Sequence, residues 1–61
     1  MTKEEILTIL SQIYNGFTYI LHCNRLDAYT FRFTLEKYHT AKRNISLKYD
    51  SKNHLAIFKL I

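Results

Sequence analysis

The 61-residue chain carries 48% hydrophobic residues, a single cysteine and a formal charge of +4. That length allows one domain (residues 1–61) and one small core, which disfavours a deeply enclosed active site. One cysteine excludes an intrachain disulfide, and the net positive charge excludes an acidic mimic of DNA.

Thr2-Lys3-Glu4-Glu5 has the form of a capping box and opens a predicted helix over residues 3–15. Ile6, Ile9, Leu10 and Ile13 recur at helical spacing, with Leu7 and Tyr14 beside them. Asn15-Gly16 ends the helix, and Phe17 is placed to fold back on its last turn.

Residues 17–23 read as the first strand, with Phe17, Tyr19, Leu21 and Cys23 inward and Thr18, Ile20 and His22 outward. Asn24 to Ala28 reads as a hairpin link. Tyr29-Thr30-Phe31-Arg32-Phe33-Thr34-Leu35-Glu36 then alternates apolar and polar without a break. This predicts a central strand with Tyr29, Phe31, Phe33 and Leu35 on its core face.

The basic segment 39–43 follows as a loop, then a strand over 44–50 with Ile45, Leu47 and Tyr49 inward, and a turn over 50–53. The last strand, 55–61, is apolar on both faces: Leu55, Ile57 and Ile61 on one, Ala56, Phe58 and Leu60 on the other. A simple meander leaves it at a sheet edge. The expected class is α+β, an N-terminal amphipathic helix packed on a four-stranded antiparallel sheet in the order α-β-β-β-β.

Chemistry-bearing groups do not converge in this reading. His22, Cys23, His39 and His54 have no metal-ligand spacing, so neither a metal nor a cofactor is expected. The carboxylates serve caps and turns, and one glycine cannot build a phosphate loop. A non-enzymatic protein is expected.

Two binding readings remain. In the first, Ile20, Ala56, Phe58 and Leu60, rimmed by Lys59, form an apolar patch on the outer sheet face. The chain would then dimerise or dock on a larger protein partner through its C-terminal strand. In the second, Arg32, Lys37, Lys42, Arg43 and Lys48 form a basic sheet face and loop for RNA or DNA. The first is preferred, because the aromatic residues alternate into the core.

The chain lacks Val and Pro and is rich in Ile, Lys, Asn, Tyr and Phe, a bias of AT-rich genomes. With the small size, this fits a phage- or plasmid-encoded inhibitor or regulator of host machinery, an anti-CRISPR-like role. No apolar run approaches a membrane span and no secretory signal is visible, so a soluble protein of the reducing cytoplasm, without membrane contact, is expected.

Overall fold

Helix α1 (Lys3–Tyr14) starts at the predicted box: Thr2 Oγ1 accepts from the Glu5 amide at 3.2 Å, and the Glu5 carboxylate accepts from the Thr2 amide at 3.3 Å. Its stripe of Ile6, Ile9, Leu10 and Ile13 is buried in the computed structural model, which describes residues 1–61. Gly16 closes the helix at φ 91°, a conformation that costs glycine no Cβ clash. The Gly16 amide then bonds the Ile13 carbonyl and the Phe17 amide the Gln12 carbonyl, as in a Schellman ending. The Phe17 side chain remains exposed and does not fold back on the helix.

The principal correction concerns the alternating stretch. Residues 29–36 belong to a second helix, α2 (Arg25–Tyr38), and not to a strand. The sheet is therefore three-stranded, β1 (Tyr19–His22), β2 (Ile45–Asp50) and β3 (Leu55–Leu60), in the antiparallel order β1-β3-β2. The element order is α-β-α-β-β, and the expected four-stranded sheet with one helix is overturned.

The physical reasons are local and global. Asn24 Oδ1 accepts from the Asp27 amide at 2.8 Å, so the presumed hairpin link is an N-cap. From there Ala28, Phe31, Leu35 and Tyr38 recur at spacings of three and four and face the core. The Thr30 and Thr34 hydroxyls donate to the carbonyls four residues back. Coverage favours the helix too. As a helix, the segment buries Ala28 and Leu35 fully and sets the Phe31 ring edge to face against Phe58, so that α1 and α2 together cover the sheet.

β3 pairs on both sides, with Tyr19 and Leu47 opposite Phe58 and with Leu21 and Tyr49 opposite Ala56. Directly opposed residues share a face, so Ala56 and Phe58 point under the helices with these neighbours. Phe58 is fully buried at the centre of the core. Its ring lies 5.4 Å from Phe31, edge to face, and 6.5 Å from Tyr19.

The turn between β2 and β3 is built on Asp50. Asn53 Nδ2 donates to Asp50 Oδ2 at 2.8 Å, while the Lys52 and Asn53 amides donate to Oδ1 at 3.1 and 3.3 Å. These bonds, the Asn53 side-chain bond foremost, hold the Asp50 carboxyl below its ordinary range. A carboxylate depressed in the folded state stabilises the fold above its unfolded value and loses that contribution as pH falls through the folded value. Stability is thus expected to decline below about pH 4, and less steeply in Asp50→Asn. Urea titrations from pH 7 to 2 check this, and parallel profiles for the two proteins would contradict it.

Candidate interaction surfaces

Helix α2 is apolar on two sides. Opposite its buried stripe, Leu26, Tyr29 and Phe33 stand 74%, 47% and 78% exposed. Their spacings of three and four place them in one line along the solvent side. Isolated exposed apolar residues are ordinary, but a contiguous line of them is the composition of an interface core.

Exposed Arg25 and Lys37 extend this line at its two ends, and an opposite pair flanks its centre. Arg32 Nε lies 4.0 Å from Glu36 Oε1, and both side chains are a little over 40% exposed. Tyr29, Arg32, Phe33 and Glu36 border a shallow groove of about 300 Å³. Sequence reasoning missed Leu26, Tyr29 and Phe33 as a surface. The available signal was their helical spacing after the Asn24 cap, which only emerges once 25–38 is read as a helix.

The residues predicted to form the outer apolar patch are divided by the sheet. Ile20 is 54% exposed on the face turned away from the helices, and Lys59 is exposed there as well. Ala56 and Phe58 are in the core, and Leu60 packs against it. Ile57 and Leu55 occupy the open face instead, with Ile57 between Ile20 and Lys48 across the strands. Strand addition along β3 is also excluded, because both of its edges are already paired.

The predicted basic set is scattered. Arg32 and Lys37 lie on α2, Lys42 and Arg43 in the following loop, and Lys48 on the open sheet face. Arg43 is engaged, its Nε donating to the Ile61 carbonyl. The Lys37 ammonium sits 5.7 Å from the Tyr38 ring centre and that of Lys3 sits 6.0 Å from it. The 39–43 loop is further tied to α1: the Thr40 amide donates to Tyr14 Oη at 3.1 Å, which contacts His39 Nδ1 at 2.8 Å. His39 Nε2 in turn donates to the Arg43 carbonyl at 2.7 Å.

No family model matches the chain, and no curated protein or solved structure matches it.

Cys23 is half-buried, and burial, then the charge of Asp27, pushes its thiol up from the ordinary value. It is held in the poorly nucleophilic thiol form. His22, His39 and His54 are on β1, at the end of α2 and in the β2–β3 turn, and no three His, Cys, Asp or Glu side chains converge on a common point. Neither helix is long and apolar enough to cross a membrane.

Proposed function

We propose that this protein is a non-enzymatic interaction module that docks on protein surfaces through the outer face of α2. The observation that supports this reading is the line Leu26-Tyr29-Phe33, which the fold does not use and solvent does not favour. Aromatic side chains at the centre of such a line are the residues that contribute most to association. Glu36 paired with Arg32 beside the rings suits a protein partner better than a phosphate backbone, which an acid at the centre of the face would repel. The open sheet face, with Ile20, Leu55 and Ile57, offers a second surface, on which His22 is the one ring and no Phe or Tyr is present for a base to stack on. Occlusion of a partner's surface, as an inhibitor would do it, requires nothing beyond this face.

The test is photocrosslinking in extract of the source cells with benzoylphenylalanine at position 33, compared with the same probe at Lys52 in the exposed turn. Position 33 is expected to yield discrete protein adducts that disappear when Leu26 and Tyr29 are replaced by Ala. Adducts at position 33 that match the Lys52 control, or adducts to nucleic acid alone, would contradict the reading.

A further inference from the structure

We infer that the occupant of the α2 face is a second copy of this chain, packed against it about a two-fold axis that passes beside Phe33. This inference rests on the docking reading above and specifies its partner.

The face is complementary to itself in shape. It carries a projecting ring, Phe33 at 78% exposure, and beside it the groove of about 300 Å³ bordered by Tyr29, Arg32, Phe33 and Glu36. A two-fold contact needs knob and hole on one surface, so that each copy fills the other. The groove's walls are half aromatic and half charged, so a partner's ring that enters it would lie against Tyr29 and Phe33 with Arg32 and Glu36 at its border.

The charges are complementary to themselves as well. Arg32 and Glu36 are of opposite sign and lie four residues apart, with their midpoint at Thr34, next to Phe33. In an antiparallel pair of helices centred there, each Arg32 faces the partner's Glu36. The pair that is marginal within one chain, at 4.0 Å and solvated, is then made twice between chains. The open sheet face carries Lys48 and Lys59 against one acid, Asp50, whose carboxylate is already bonded within its own turn.

Size sets the strength. The 14-residue helix is about 21 Å long, and a contact along it falls at or below the lower end of specific interfaces, about 1,200 Å² in total. Each copy also carries +4, so the overall charges repel. At about 0.15 M salt the Debye length is about 8 Å, which screens that repulsion but leaves contacts at hydrogen-bond range intact. A weak dimer in exchange with the monomer is expected.

Sedimentation equilibrium of the full chain between about 5 and 500 μM in 0.15 M salt tests this, with far-UV circular dichroism as the control for folding. The weight-average mass of the native chain is expected to rise from 7.3 kDa towards twice that value. Phe33→Asp is expected to remain monomeric throughout. Arg32→Glu and Glu36→Arg, each alone, are expected to weaken self-association about tenfold, because two attractive contacts become repulsive. An equimolar mixture of Arg32→Glu with Glu36→Arg is expected to associate within about threefold of the native strength, since in the mixed dimer both contacts are again between opposite charges. A folded mixture that fails to recover association, or a Phe33→Asp protein that still dimerises, would overturn the inference. A native chain that stays monomeric at every concentration would overturn it too. The docking reading would then stand or fall separately on the protein adducts formed from position 33.

Discussion

Phe58→Ala is expected to leave the chain largely unfolded at 25 °C. The side chain is fully buried on the central strand, between Phe31 and Tyr19 and beneath both helices. Removing such a ring costs about 3–5 kcal/mol in lost transfer energy and cavity formation. A domain of this length has on the order of 3–9 kcal/mol in all. Few small domains tolerate such a loss. Urea denaturation followed by circular dichroism measures it, and a folded variant of near-native stability would contradict the placement of Phe58. The same substitution on the outer sheet face, where the sequence reading places Phe58, would cost the fold little.

The second large effect is a contrast between neighbours on α2. Leu35→Ala is expected to cost about 2–5 kcal/mol, because Leu35 is fully buried. Phe33→Asp, two residues away and exposed, is expected to change stability by about 0.5 kcal/mol or less. The two responses separate helix from strand. On a strand, residues 33 and 35 share a face and both substitutions would be severe. On a helix they lie about 200° apart, and only Leu35 is in the core. Equal destabilisation of the two variants in chemical denaturation would restore the strand.

This contrast also explains which parts of the fold were legible in the sequence. Helix α1 was, because Thr2 and Glu5 form a reciprocal cap and Ile6, Ile9, Leu10 and Ile13 match only the helical period. β1 and β2 were legible in parity, since Ile20 and Lys48 fall outside while Tyr19, Leu21, Leu47 and Tyr49 pack inward. The Asp50 turn followed from a side chain able to bond its own backbone.

Residues 29–36 were misleading because two of their apolar positions serve both periods. Phe31 and Leu35 belong to the alternating set and, with Ala28 and Tyr38, to a helical one. Asn24 and Asp27 decide between them as a cap, yet Asn and Asp are equally at home in a hairpin link. For β3 the difficulty was different. With apolar residues on both faces, its own pattern carries no parity, and only pairing with β1 and β2 fixes Ala56 and Phe58 inward.

The interaction surface inherits that ambiguity. As a strand, 29–36 would have buried Tyr29 and Phe33 and left Leu26 in a turn; as a helix it lines all three up in solvent. The candidate site thus emerges from the correction of the fold, and the residues first singled out, Ile20 and Lys59 apart, are in or against the core. What an apolar helix face of this kind supplies is area and shape, with Arg32 and Glu36 setting orientation.

The most direct measurement on that face is a dilution series of amide ¹H–¹⁵N spectra at fixed salt and pH, with assignments carried through the series. The account predicts concentration-dependent shifts confined to residues of the outer face of α2, centred on Tyr29, Arg32, Phe33 and Glu36, with Ile20, Lys48, Ile57 and Lys59 unmoved. Shifts centred on the open sheet face, or a spectrum that does not change with concentration, would contradict self-association through α2.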